Sequence, residues 1–425
     1  MKYWITNAPL FSGLWRNRDF RLLWASLTLT HFGGQITFLA LPLTAAILLN
    51  ATAFEMGVLM ALEALPFALF GLFTGVLVDR SRKLPLIISA DIGCGLALLA
   101  VPIAAWMGVL SMQVLYVTGF LVGSGGLVSW AAYQVFMTER VGRENLVEAS
   151  AKIALSESSA QLIGPGVAGM AIQWLTAPFA ILLDAISFFV SAWMLRSIEP
   201  GAADAPKVRR NAASIWTEIG EGLRLIWRNK VLRSIVWVLG LWNLLRHMYL
   251  AVIILFATRD LALSPAVVGL IWMAGGIGCL GASFFVQRVN VRLGVGGAML
   301  GGLFLTGLAW GLIALTQRGN FATGLSLAAG ILALDFGSTL FFINYLALRQ
   351  AVTPDHLLGR VISTMIFFTV ATAPLGALLG GALGEWLGLR ATLTITAVSG
   401  VVLGLMLMRL SPLAAMRVLP QHAAE

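Results

Sequence analysis

No charged side chain occurs between Ile92 and Thr138, where the chain reads IGCGLALLAVPIAAWMGVLSMQVLYVTGFLVGSGGLVSWAAYQVFMT. A helix that crosses a bilayer needs about 20 apolar residues, because each residue advances the helix by about 1.5 Å. The stretch is too long for one crossing, and Gly108, Ser111 and Gln113 near its middle are typical of a turn. It therefore predicts two successive transmembrane helices.

The whole chain has the composition of a membrane protein. Only 11% of its 425 residues are charged and 59% are hydrophobic, whereas a soluble domain has about 25% charged residues. This excludes an ordinary globular protein and a disordered one. The fold class expected is an all-α integral membrane protein with about twelve spans, near 20–49, 56–78, 84–106, 112–137, 149–174, 177–196, 231–257, 265–287, 294–316, 321–348, 360–384 and 391–409.

The cations indicate the orientation of these helices, since cytoplasmic loops carry an excess of Lys and Arg. With the N-terminus in the cytoplasm, 24 of the 28 cations lie inside. Only Arg259, Arg318 and Arg390 lie outside, and Arg246 lies within the membrane. Both termini are thus expected in the cytoplasm. The pI of 10.1 then reflects topology and contact with membrane lipids, and no nucleic-acid partner is expected.

The sequence offers no pattern typical of an enzyme. Cys94 and Cys279 stand alone inside spans, without the spacing of a metal or redox pair. There is no glycine-rich phosphate loop, no zinc-protease motif and no serine nucleophile elbow. We therefore expect no catalytic residues, no metal and no cofactor, and an ion gradient rather than ATP as the energy source.

An internal repeat divides the chain. The sequence WRNR at 15–18 recurs as WRNK at 227–230, an offset of 212 residues, and each copy leads into a span. Trp174 and Trp386 keep the same offset. Two six-helix halves in parallel repeat are typical of transporters that move one half against the other. The predicted divisions are an N-terminal half at 1–196, a cytoplasmic linker with an amphipathic helix at 197–230, and a C-terminal half with a short tail at 231–425.

A cluster of charges follows the second span, where the chain reads GVLVDRSRK at 75–83. Gly75 would let another helix approach closely. Asp79 can accept hydrogen bonds from a helix N-terminus, and Arg80 and Lys83 can reach Glu139. This combination predicts a latch that holds the cytoplasmic ends of the two halves together in one state and releases them in another.

The segment resembles the cytoplasmic loop motif of the major facilitator superfamily, Gly-x-Leu-x-Asp-Arg-x-Gly-Arg-Arg/Lys, and departs from it at Arg82. That departure is similar to the macrolide-efflux and enterobactin-exporter branch of drug:proton antiporters. Further similarities to that branch are Phe20 to Trp24 (FRLLW), the helix-packing motif Gly164, Pro165 and Gly169, Leu183 to Phe188 (LDAISF), Thr353-Pro354 and Gly359-Arg360-Val361. The resemblance implies a monomer in the bacterial inner membrane.

One element of the family is missing. The resemblance would place a proton-transfer arginine of the fourth helix at position 119, which is Gly119 here. It also implies that helices 1, 4, 7 and 10 line a central cavity, with helices 2, 5, 8 and 11 beside them. Coupling must then depend on other groups.

Ionisable residues inside spans are costly, and each is a functional hypothesis by default. They are Glu63, Asp91, Glu157, Asp184, Arg246, His247, Asp335 and His31. Asp335 and Arg246 fall on cavity helices of the same half, which predicts a proton-sensitive pair; the alternative is a permanent salt bridge. Glu63 and Glu157 could carry a proton or bind a cationic substrate, or could simply bond to a neighbouring helix.

The sequence predicts less specific roles for the remaining polar and aromatic groups. Asp91 and Asp184 fall on outer helices, which favours structural hydrogen bonds. His31 could titrate near neutral pH. Polar groups that could contact a ligand at similar depth are Gln35, Asn243 and Asn344, and aromatic groups that could stack on it are Trp242, Phe32 and Tyr345.

The function expected is proton-coupled efflux of a small, largely apolar compound, such as a drug, a macrolide or a siderophore-like molecule, by alternating access. Proton-coupled uptake of a metabolite is one alternative, and sodium could replace the proton. A lipid flippase or a non-transporting membrane scaffold is the other.

Overall fold

The computed structural model describes residues 13–199, 220, 223–319, 321–353, 358–414 and 416–417. Every regular element in these ranges is helical. The N-terminal half contains α1 Arg18–Leu43, α2 Ala53–Arg80, α3 Lys83–Trp106, α4 Met112–Val141, α5 Leu146–Leu175 and α6 Ala177–Arg196. The C-terminal half contains α7 Lys230–Leu255, a long element Pro265–Leu315, α10 Phe321–Ala351, α11 in two segments, Leu358–Val370 and Thr372–Leu387, and α12 Leu389–Leu410.

The element Pro265–Leu315 is two helices joined without a loop. Gly294 has φ 75° and ψ 166°, a conformation that a side chain would strain, and it reverses the chain between α8 (265–293) and α9 (295–315). With this break the described helices make twelve passes, which confirms the expected fold class. Ten elements are long and apolar enough to span a membrane, with Pro265–Leu315 counted once.

The helix missing from those ten is α5. It is 30 residues long and carries the charged residues Glu148, Lys152 and Glu157 in its first half. The uncharged stretch at 92–138 does form two helices, α3 and α4, separated by a turn at Gly108 with φ 71°. Most of the predicted linker lies outside the described residues, apart from its two ends.

The repeat of 212 residues extends to backbone detail. Asn17 and Asn229 cap α1 and α7, and each side chain accepts hydrogen bonds from the backbone N–H groups two and three residues later. Both helices end in a π-type turn, at Thr44–Leu48 and Phe256–Asp260. Asn50 and Ala262 then share a positive φ, 51° and 52°. The same chain geometry therefore recurs in both halves.

The two halves meet at the end of the molecule where these turns lie. Gly169 on α5 packs on Gly269 of α8, and a methyl group built at Gly169 would lie 2.8 Å from the Cα atom of Gly269. Gly57 on α2 packs on Gly381 of α11 in the same way, again at 2.8 Å. Arg259 also joins the halves there, because its guanidinium donates to the Ala51 carbonyl at 2.8 Å. The predicted packing glycine Gly169 thus lies in a contact between halves.

Candidate functional site

Asp335 lies where α10 crosses α8. Its carboxylate Oδ2 packs against Gly275, where any side chain would collide with it. The position is half-buried, and Arg246 of α7 is near enough to attract the carboxylate. No ion pair within 4.0 Å joins these two described residues. In this conformation they are electrostatic neighbours without a direct salt bridge.

Arg246 points away from its helix on a face whose other positions are buried. Leu239 and Tyr249 on that face are 3% and 4% exposed, yet Arg246 itself is exposed. Its guanidinium lies 5.6 Å from the ring centre of Trp242, which stacks on Phe341 at 5.7 Å. The charge is therefore presented to open space above an aromatic stack, which can stabilise a cation.

Glu63 lies where α2 crosses α4, beside a cavity of about 210 Å³. A methyl group built at Gly119 would lie 3.0 Å from the Glu63 Cγ atom, and the Glu63 carbonyl packs on Gly123. Gly119 is the position to which the family resemblance assigns an arginine. The glycine there gives Glu63 room and provides it with no cation.

Two further carboxylates of the N-terminal half are held by hydroxyl groups. Asp91 accepts hydrogen bonds from Ser129 at 2.9 Å and from Ser191 at 2.7 Å. Asp184 accepts hydrogen bonds from Thr37 of α1 and from Ser187, the latter at 3.0 Å. These bonds join α3 to α4 and α6, and α1 to α6. They are structural contacts of the kind expected for acids on outer helices.

A larger cavity of about 420 Å³ opens within the N-terminal half. His31 of α1 and Glu157 of α5 both line it, so the structure brings these two predicted residues to one space. Glu157 is exposed there and accepts a long hydrogen bond of 3.5 Å from Gln161. The other polar and aromatic lining residues are Ser26, Thr30, Asp91, Ser129, Trp130, Tyr133, Gln134, Ser150, Phe188 and Ser191.

The predicted amides are engaged in packing. The Asn243 side chain donates to the Thr369 carbonyl at 2.8 Å, which ties α7 to α11. The backbone carbonyl of Asn243 contacts the His247 Nδ1 at 2.9 Å. Asn344 is 1% exposed and donates to a carbonyl of its own helix. Gln35 packs its side chain on Gly164. None of the three amides lines either of the two cavities.

The packing motif of α5 has different partners along its length. Gly164 receives the Gln35 side chain of α1, within the N-terminal half. The Pro165 carbonyl packs on Gly269, one turn before the contact of Gly169 with the same residue. The motif therefore lets α5 approach α1 on one side and α8 on the other.

The charged cluster after α2 is described by the burial and contacts of its five predicted residues. A methyl group built at Gly75 would meet no described atom within 4 Å, so no helix packs closely there in this conformation. Lys83 is fully buried, Asp79 and Glu139 are half-buried, and Arg80 is exposed. All four charged residues interact with neighbouring groups.

Sequence reasoning missed an ion pair at this end of the bundle. Arg140 at the end of α4 pairs with Asp19 at the start of α1, and its Nε donates to Asp19 at 2.9 Å. Arg140 also donates to the Glu199 carbonyl at 3.2 Å. The two residues are 121 positions apart in the chain, so only the packing of α1 against α4 reveals the pair. Within the described residues, no group of three His, Cys, Asp or Glu is placed to hold a metal.

Comparison with known proteins identifies a family and several relatives. The family model described as Major Facilitator Superfamily matches residues 23–256. The multidrug efflux pump Tap of Mycobacterium tuberculosis (strain ATCC 25618 / H37Rv) is 26% identical over 418 residues, which cover 96% of each chain. The enterobactin exporter EntS of Salmonella typhi is 25% identical over 415 residues, covering 92% of this chain and 95% of EntS. Among solved structures, the nucleoside transporter NupG matches with a TM-score of 0.72 and 12% identity, covering 92% of this chain and 98% of NupG.

Proposed function

Because the chain belongs to the Major Facilitator Superfamily and is a multi-pass protein of the inner membrane, we propose that it exports a small, largely apolar compound in exchange for protons. Its family and its relatives are transporters rather than enzymes. The names of Tap and EntS support efflux, since both describe export.

The observation that carries proton coupling is the position of Asp335. A carboxylate within the membrane is disfavoured by several kcal/mol when it is charged and unpaired. Asp335 has an exposed guanidinium nearby but no direct bond to it in this conformation. Approach of Arg246 or of water would favour loss of the proton, and withdrawal would favour its return. Movement of α7 relative to α10 would thus change the protonation of Asp335.

Alternating access would act through the closed end of the molecule. With the termini in the cytoplasm, as the cation distribution predicts, the glycine contacts Gly57–Gly381 and Gly169–Gly269 lie on the outer side. The chain as described is then closed to the outside. The cavity of about 420 Å³ lies toward the cytoplasmic ends of α1, α4 and α5, where a compound could enter. Trp130 there is 56% exposed and offers an aromatic surface.

Efflux can be tested in cells of a strain that lacks its own drug exporters. Accumulation of ethidium, of a macrolide and of a catecholate siderophore is measured with wild type, with Asp335→Asn and with empty vector. We expect lower accumulation of at least one compound with wild type, abolished by a protonophore and by Asp335→Asn. Greater accumulation with wild type would instead favour proton-coupled uptake.

The non-transporting alternatives give different results. A scaffold would move no compound in the panel under any gradient. A lipid flippase would leave the panel unchanged but would move a fluorescent phospholipid between the leaflets of a proteoliposome. Dependence on a sodium gradient, with no effect of the protonophore in sealed vesicles, would replace the proton by sodium.

A further inference from the structure

The four membrane carboxylates on α2, α3, α6 and α10 fall into two classes by their hydrogen bonds. Asp91 and Asp184 each accept from two hydroxyl groups. For Glu63 and Asp335, no donor within hydrogen-bond distance of the carboxylate and no cation within 4.0 Å occurs among the described residues. The second class therefore has one member in each half of the protein.

These two acids lie at equivalent helix crossings, one in each half. Adding the repeat offset of 212 to Glu63 gives Gly275, and subtracting it from Asp335 gives Gly123. In the N-terminal half the backbone carbonyl of Glu63 packs on Gly123, and in the C-terminal half the carboxylate of Asp335 packs on Gly275. Each half thus has an acid at the same helix crossing, on α2 in one half and on α10 in the other. The Glu63 side chain itself lies against Gly119, one turn from Gly123.

The surroundings of the two acids explain why each would hold a proton. The residues that line the Glu63 cavity include no Lys, Arg or His, and the other titratable group there is Asp184, itself acidic. Asp335 faces Arg246 and Tyr249 of α7 and Cys279 of α8, and none of these bonds to it directly. Inside a membrane an unpaired acid is far less costly in its neutral form.

We propose that this transporter has two exchangeable proton sites, Glu63 in the N-terminal half and Asp335 in the C-terminal half, and that it exchanges two protons in each transport cycle. The proposal rests on the proton coupling of the proposed function. It differs from that proposal in assigning equal roles to two acids at equivalent crossings, rather than one role to the pair of Asp335 and Arg246.

Infrared difference spectroscopy tests the two sites without any substrate. Purified protein in lipid nanodiscs is titrated with acid and base, and the C=O stretching band of protonated carboxylic acids is recorded. Glu63→Gln and Asp335→Asn should each remove a different component of this band, and the double variant should remove both. Glu63→Asp keeps the carboxyl group, so its spectrum should keep a component of the band. This variant provides the test if Glu63→Gln does not fold.

The second measurement is the kinetic order of transport with respect to the proton concentration. Ethidium efflux from proteoliposomes is followed at several outer proton concentrations, and wild type should show an apparent order near two. Each single variant that still transports should show an order near one. An unchanged band and an unchanged order in Glu63→Gln would overturn the proposal, as would loss of the band component in Asp91→Asn instead. Absence of any proton-dependent transport by wild type would refute the proposed function, and the spectra would still decide whether Glu63 and Asp335 are proton sites.

Discussion

Replacement of Gly57 by alanine places a methyl group between α2 and α11 at the closed end of the molecule. The new Cβ atom would lie 2.6 Å from the Ala377 carbonyl oxygen and 2.8 Å from the Gly381 Cα atom. Carbon atoms in ordinary contact are about 3.5–4.0 Å apart. Since both neighbours are backbone atoms, no side-chain rotation relieves the clash. The two helices must therefore separate by about 1 Å at this point.

That separation raises the free energy of only one conformation. Overpacking a close contact costs about 1–3 kcal/mol, and only the state in which α2 and α11 meet here suffers it. The intrinsic gain of alanine over glycine in a helix, about 1 kcal/mol, applies to both states. A difference of about 1–3 kcal/mol changes a two-state ratio by about 5- to 150-fold. We expect Gly57→Ala to shift the population by this factor toward the state open at this end.

Distances between spin labels can measure the shift. Trp174 at the end of α5 and Trp386 at the end of α11 are 80% and 82% exposed, and they belong to different halves. Each is replaced by cysteine and labelled in a background without Cys94 and Cys279. Pulsed electron paramagnetic resonance in nanodiscs should show a larger fraction of long distances in Gly57→Ala than in the parent protein.

A matched control lies on the same helix. A methyl group built at Gly71 would meet no described atom within 4 Å, so Gly71→Ala makes the same chemical change without a clash. We expect its distance distribution to equal that of the parent. Identical distributions for the Gly57 and Gly71 variants would refute the view that the glycine contact controls closure.

Three further predictions concern single contacts. Asn229→Ala removes the cap of α7 and should lower the free energy of unfolding by about 1 kcal/mol, measured by denaturant titration in detergent, whereas Asn229→Asp should retain the cap. Ser191→Ala removes one of the two donors of Asp91 and should cost about 1–3 kcal/mol in the same assay; no loss would mean that water replaces the hydroxyl. Arg259→Gln loses the charged donor to the Ala51 carbonyl. It should increase the labelling of a cysteine introduced at the closed end, and Arg259→Lys should give an intermediate increase.

Hydropathy could predict most of the fold, because each helix that crosses the membrane must satisfy its own backbone hydrogen bonds there. The uncharged stretch at 92–138 and the cap at Asn229 both follow from local sequence. The predicted spans 265–287 and 294–316 leave a short connecting segment between them, whereas the chain reverses at the single residue Gly294. The helix α5 was predicted as the span 149–174 despite its charged first half, but its packing of small residues against α8 was not.

The candidate sites were predictable only in part. Intramembrane charge alone identified Glu63 and Asp335 together with Asp91 and Asp184, and the family resemblance set the latter two apart as acids on outer helices. The individual donors Thr37, Ser129 and Ser191 lie on other helices and were not predictable. The offset of 212 residues already matches Glu63 with Gly275, but this match can be interpreted only once the helix crossings are known. The approach of Asp335 to Arg246 depends on the rotation of two helices, which the sequence does not specify.

The glycine contacts between the halves have the form of an isologous interface. Residue 57 meets residue 381 in one crossing, and their equivalents, 269 and 169, meet in the other. Such reciprocity is the signature of a two-fold axis that relates identical subunits. A single ancestral half could have made both contacts by pairing with a second copy of itself. The two halves, expressed as separate polypeptides, should therefore retain the information needed to find each other at this end of the membrane.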